Sequence, residues 1–196
     1  MSQNFVFCQE EENSATIIFN DSTTVKGYGE IKKNKIYFSL TQNDEKTEWS
    51  YDIAKGIIFS GYGFSEKYEY IKPDKYSEPI LAEVIEEGKI NLYRKNNLKI
   101  NVGHFNSDSK SSFSVQQHAN AMRSANTHYD VASVFYVMRP FENNATDITF
   151  SFKTRAMKYF SDCEIIIKKL KNRTFNTENI PQMVTYYNDY CDGQED

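Results

Sequence analysis

With 196 residues, 39% of them hydrophobic and 15% aromatic, the chain is long enough for one compact domain, or a main domain with a small appendage, and too apolar to stay disordered. No window approaches the roughly 18 consecutive apolar residues of a transmembrane helix. The net charge of −4 gathers at the two ends, in Glu10, Glu11 and Glu12 and in Asp189, Asp192, Glu195 and Asp196, so the interior lacks the basic field that draws nucleic acid.

Phe5, Val6, Phe7 and Cys8 form a short apolar run that stops at Gln9. Val6 and Cys8 stand at the −3 and −1 positions of a cut before Gln9, which reads as a signal-peptide remnant over residues 1–8. An ordinary edge strand is the other reading. From Ala15 the chain reads as strands: Ala15–Phe19, a turn at Asn20-Asp21-Ser22, then Thr24–Lys32 with Gly27 and Gly29 marking a bulge or tight bend. Lys35–Thr41 alternates Ile36, Phe38 and Leu40 against Tyr37 and Ser39, and Lys46–Ile53 and Gly56–Ser60 complete five short strands. That spacing predicts a small SH3-like or Sm-like barrel over 14–60.

Tyr68–Ile71 predicts a further strand. Ser77-Glu-Pro79 reads as the start of a short helix stopped by Gly88. Ile90–Tyr93 and Leu98–Val102 read as a hairpin about Lys95-Asn96-Asn97. The polar stretch 104–128 predicts a mobile loop, with 116–125 as a weak helix within it. Val131–Met138 reads as a buried strand ended by Pro140, with Asp147–Phe152 as its partner. Helices at 153–161, 163–171 and 177–190 close the chain.

The cysteines bear on compartment. Asp162 is placed to cap a helix whose apolar face is Cys163, Ile166, Ile167 and Leu170. Thr177 is placed to cap the last helix, with Pro181 in its first turn and Ile180, Val184, Tyr187 and Cys191 on one face. The short connection 172–176 makes these two helices an antiparallel hairpin, with Cys163 and Cys191 at its shared end. A disulfide there predicts an oxidising compartment, whereas two buried free thiols would not. Lys153, Arg155, Lys158, Lys168, Lys169, Lys171 and Arg173, against Asp162 and Glu164, read as a solvated helix face or as a surface for an anionic ligand or membrane.

Tyr159-Phe-Ser-Asp-Cys163, the lysine-rich helix after it and Tyr186-Tyr-Asn-Asp-Tyr-Cys191 resemble the tail of uncharacterised exported proteins of Bacteroidota. Their pattern is an Asp-Cys helix start followed by Tyr-Asn and a final Cys. Glu87-Gly-Lys-Ile-Asn-Leu-Tyr93 is similar too, and the excess of lysine and asparagine fits an AT-rich genome of that kind. The resemblance implies export, to the periplasm or beyond. A cytoplasmic location follows only if the N-terminus is no signal remnant.

No catalytic motif is present: no phosphate-binding glycine loop, no Gly-x-Ser-x-Gly elbow and no His-Glu-x-x-His helix. His104, His118 and His128 fall in or beside the polar loop, where surface chemistry is the plainer reading than metal ligation. No cofactor is expected. Tyr28, Tyr37, Tyr51, Tyr62, Tyr68 and Tyr70 are spread over the β region, where outward rings would suit a protein or sugar and half-buried ones would simply serve the strands. The sequence thus predicts an α+β protein: a β-rich body over 14–152 and a disulfide-clamped helical tail over 153–191. The role it points to is an exported, non-catalytic interaction or structural module of a bacterial envelope, whose partner is an envelope protein or glycan. A small-ligand binder with an apolar cavity in the β-body is the alternative.

Overall fold

The computed structural model describes residues 14–61, 64–99 and 130–191; the signal-remnant segment 1–8 and the stretch 104–128 lie outside them. Contacts divide the chain into two units, Met1–Lys95 with Phe135–Asp196, and Asn96–Val134. The described part of the second unit is two strand ends, where the Ser133 hydroxyl donates to Asn96 Oδ1 at 2.9 Å.

The strands are β1 (Ser14–Phe19), β2 (Thr24–Lys32), β3 (Lys35–Ser39), β4 (Thr47–Trp49), β5 (Ala54–Gly61), β6 (Phe64–Ile71), β7 (Ile80–Glu86), β8 (Asn91–Lys99), β9 (Asp130–Met138) and β10 (Thr146–Asp147). They form one sheet of order β10-β9-β8-β7-β6-β5-β1-β2-β3-β4. Period-2 patterning sets its register. Ile17 faces Val25 on one side and Ile57 on the other, so one face gathers Ala15, Ile17, Ile36, Phe38, Ala54, Ile57 and Leu81. Lys33 and Asn34 both take positive φ, as a two-residue type I′ hairpin between β2 and β3 requires.

The sheet curls over this face. Asn34 Oδ1 accepts from Leu81 N at 2.7 Å and its Nδ2 donates to Pro79 O at 3.0 Å. From β6, the Tyr70 hydroxyl reaches Asn34 O at 3.2 Å and Trp49 O at 3.3 Å. Gly29 permits the close packing inside: a Cβ there would lie 2.4 Å from the Ile57 side chain. The strand order ends at β4 and β10, so the sheet is not closed. The five strands expected to form a barrel are instead one end of an open sheet, rolled by side-chain links to β7.

Several local expectations need correction. The helix expected over 77–88 is β7, because β6 and β8 offer ladders on both sides: Leu81 pairs Tyr70, and Glu83 pairs Arg94, whose guanidinium forks onto the Glu83 carboxylate at 2.7–2.9 Å. The hairpin expected about residues 95–97 is the unbroken β8, in which the Lys95 ammonium donates to Leu81 O at 2.8 Å. The partner strand expected over 147–152 shrinks to β10. Asp147 Oδ1 accepts from Thr149 N and Phe150 N at 2.7 and 3.3 Å, an Asx turn that ends the ladder.

Three helices follow: α1 (Phe152–Tyr159), α2 (Glu164–Lys171) and α3 (Ile180–Tyr190), the last preceded by a 3₁₀ turn, Thr177–Asn179. Neither expected cap is used. Cys163 stands at the N-cap of α2, and Asn176, in a capping box with Asn179, opens the 3₁₀ turn. The helices bury Phe152, Ala156, Phe160, Ile166, Leu170, Val184 and Tyr187 against Ile90, Leu92, Val137 and Ile148 of the sheet side. The sulfurs of Cys163 and Cys191 lie at bonding distance, with Cα atoms 5.7 Å apart, and both residues are buried in this core. At the end of α3, Asn188 exchanges hydrogen bonds with Ile90 N and O at 2.9 and 3.0 Å, and Lys89 donates to Cys191 O at 2.7 Å. No described helix is long and apolar enough to cross a membrane.

Candidate functional site

Pro140 lacks the N–H that would extend β9, and Arg139 just before it turns into the helical layer. Its Nη2 donates to Asp162 Oδ2 at 3.0 Å and to Tyr159 O at 3.1 Å. Its guanidinium lies 4.5 Å from the centre of the Tyr159 ring, close enough for cation–π attraction. The Arg139 backbone N–H donates to Glu142 Oε2 at 2.8 Å, and the Tyr159 hydroxyl donates to the same oxygen at 2.5 Å. The Tyr187 hydroxyl donates to Asp162 Oδ2. One arginine thus ties the end of β9, the loop after it, α1, the α1–α2 connection and α3 into one network.

Beside the network opens a cleft of about 510 Å³. Arg139, Glu142, Tyr159 and Asp162 line its network side, and Phe141, Thr146, Arg155, Lys158 and Ser161 complete it. Arg155 and Lys158 reach it together because three residues along a helix share a face. Arg155 donates from Nη1 to Asp147 O at 2.8 Å, and its guanidinium lies 5.5 Å from the Phe150 ring centre. Phe141 and Phe150 are exposed to 57% and 69%, leaving aromatic surface at and near the opening.

Electrostatics fix the network rather than poise it. Burial first, then the bond to the Glu142 carboxylate, pushes the Tyr159 phenol far above its ordinary range. Burial and the Asp162 carboxylate push Tyr187 the same way. Burial alone would lower the Arg139 guanidinium, but the hydroxyl of Tyr187 and the charges about it raise it instead. All three shifts lead away from neutral pH, whereas an acid–base catalyst needs a group near its working pH. Asp162 Oδ1 is buried without a hydrogen-bond partner. Among the described residues no cluster of three metal-ligating side chains forms.

The tyrosines singled out from the sequence do not make one surface. Tyr68 and Tyr70 pack against the rolled core. Tyr28 and Tyr37 alternate with the inward Gly27, Gly29, Ile36 and Phe38, which puts them on the opposite face. Tyr51 is 37% exposed, its ring edge-on to Tyr70. Tyr62 and the histidines 104, 118 and 128 lie outside the described residues. The sequence reading missed Arg139, Glu142, Tyr159 and Tyr187, and gave Asp162 the wrong task. Their signal was faint: an arginine at a strand end before proline, and a carboxylate beside a cross-linked cysteine.

Comparison with family models, curated proteins and solved structures finds no match to this chain.

Proposed function

We propose that this chain is an exported, non-catalytic binding module of a bacterial envelope, meeting an envelope protein or glycan at the cleft beside α1. The observation that carries the reading is the Arg139 network that backs the cleft. Arg139, Tyr159 and Tyr187 are each pushed away from neutral pH by burial and by their neighbours, which suits a rigid recognition surface. Two exposed phenylalanines at and near the opening support binding, since aromatic anchors dominate contact energies. The Cys163–Cys191 contact supports export, because such cross-links persist where the surroundings are oxidising.

The alternative, a small-ligand binder with an apolar cavity in the β-body, fits less well. The inner face of the roll is filled by its own side chains: even a Cβ at Gly29 would lie 2.9 Å from Ala15 and 2.4 Å from Ile57. Two measurements test the reading. Intact mass of protein from its native host, before and after reduction, should rise by two hydrogens, and free thiols in native protein would return it to the cytosol. A photo-crosslinking residue in place of Phe141 should capture an envelope component that the same residue in place of Tyr76, which is 92% exposed, does not.

A further inference from the structure

The cleft's hydrogen-bonding capacity is lopsided. Three of the four oxygens of its two carboxylates are hydrogen-bonded or buried, and the fourth, Glu142 Oε1, is ion-paired with Arg139 at 3.6 Å. Glu142 Oε2 accepts from Arg139 N and from the Tyr159 hydroxyl, and Asp162 Oδ2 accepts from Arg139 and the Tyr187 hydroxyl. The remaining Asp162 oxygen is buried out of reach of solvent. The donors are not spent. Among the described residues no hydrogen bond or ion pair engages the Lys158 ammonium or the hydroxyls of Thr146 and Ser161. Arg155 uses only Nη1, toward Asp147, leaving Nη2 and Nε. A ligand entering here meets unused donors and unpaired positive charge on one side and the exposed Phe141 ring on another.

We infer that the cleft is an oxyanion-binding site, taking a carboxylate or phosphate group carried on an apolar or sugar body that lies against Phe141. The chemistry follows from the donor surplus. Oxyanions offer acceptors only, and bonds in which donor and acceptor are both charged are about twice as strong as neutral ones. Lys158 supplies the unpaired charge, Arg155 a guanidinium edge already oriented by Asp147, and Ser161 and Thr146 the neutral donors. Arg139, on the network side of the cleft, holds the Glu142 and Asp162 carboxylates in place. A neutral or cationic ligand would leave these donors unmet and find, among the cleft's carboxylate oxygens, only Glu142 Oε1, already ion-paired with Arg139. The inference deepens the binding-module reading and rests on it.

The test is an NMR titration of the full oxidised chain with benzoate, phenyl phosphate, galacturonate and, as the neutral control, benzyl alcohol. The three anions should shift amide signals of residues 139–162 with a dissociation constant on the order of 1 mM, as expected for such small probes, and benzyl alcohol should not. Lys158→Gln should weaken the anions about tenfold, the worth of one charge-assisted bond, and Phe141→Ala about threefold for the two aromatic anions. Lys168→Gln, an exposed cation on α2, should leave binding unchanged. Preference for benzoate and galacturonate over phenyl phosphate identifies a carboxylate ligand, and the reverse a phosphate. Absence of shifts, an equal response to benzyl alcohol, or equal weakening by Lys168→Gln would overturn the inference. The crosslinking result at Phe141 stands apart from all of these: a captured envelope component with no anion binding sinks this inference and leaves the broader reading in place.

Discussion

The rolled end of the sheet and its helix-covered end solve the same burial problem by different means. At the rolled end the strands cover one another. Alternating side chains of β1, β3 and β5 meet inside the curl, and one asparagine in a turn links it to β7. At the other end the cover is three helices of 8, 8 and 11 residues. Helices shorter than about 12–15 residues are marginal alone in water, so this layer depends on what ties it down. The ties are the Arg139 network, the Cys163–Cys191 cross-link and the hooks from α3 to the β7–β8 turn. A strand roll is held chiefly by its pattern, a short-helix layer by its fastenings. Removing a fastening should therefore cost more at the helical end.

Arg139→Ala should give the largest effect. The substitution leaves the largely buried Asp162 carboxylate, its side chain 14% exposed, without its cation, and breaking such a pair costs about 3–5 kcal/mol. Urea denaturation should show the loss, and amide exchange should place it in α1 to α3 before β1 to β3. A loss below about 1 kcal/mol would mean that Arg139 is not a fastening, since that is the size of an exposed ion pair. Reduction of the cross-link comes next. With a sequence separation of 28 between the cysteines, the chain-entropy estimate gives about 3–4 kcal/mol. The comparison sharpens if the helices lose exchange protection on reduction while the roll keeps it, and breaks if both ends loosen together.

At the rolled end, Asn34→Ala should cost less, about 1–2 kcal/mol, because it strands one part-buried N–H, that of Leu81, and a turn carbonyl. Thermal unfolding of the variant beside Arg139→Ala ranks the two directly, and the comparison fails if Asn34→Ala proves the more damaging.

What the sequence reveals follows the same division. Strands β1 and β3 were legible because Ala15–Phe19 is rich in β-branched residues and Ile36 and Phe38 alternate with Lys35, Tyr37 and Ser39, local signals that need no knowledge of distant contacts. The helical hairpin end was legible through Cys163 and Cys191, since helix spacing alone brings their faces together. β7 was not. Ile80, Leu81 and Val84 after Pro79 suit a helix as well as a strand, and the choice fell to β6 and β8 on either side, which no local pattern contains. The cleft was hidden for a stronger reason. Arg139, Asp162 and Tyr187 are brought together from a strand end, a connection and a third helix, so no window of sequence holds them. Asp162 even mimics a helix cap by position while its carboxylate serves Arg139. The curl was not legible because Asn34 and Tyr70 side chains hold it rather than ladder bonds.

The smallest expected effect concerns pH, and it tests whether the roll is as passive as its patterning implies. Burial, then the charges of Glu66 and Glu83, pushes the Tyr68 phenol from the ordinary 10.0 to about 12. Folding thus favours the protonated phenol. Its contribution is fully present below pH 10 and is lost as pH rises through about 12, because the unfolded chain ionises first. Tyr93, on the opposite face beside the Glu69 carboxylate, is pushed to about 12 chiefly by burial and behaves likewise. Tyr68→Phe should change stability by less than about 1 kcal/mol at neutral pH, since its hydroxyl makes one exposed bond to Glu66, yet flatten the fall in stability between pH 10 and 12. Urea midpoints across that range, with phenolate absorbance recorded in parallel, measure both. The helical end should go on losing stability beyond pH 12, because Tyr159 is raised further still by burial and by its bond to the Glu142 carboxylate, and a larger shift extends the pH range of the loss without steepening it. If alkali instead opens the roll first, with the helices still protected from exchange, then the roll is held by its tyrosines as firmly as the helical layer is held by Arg139, and the contrast between pattern and fastening does not hold for this fold.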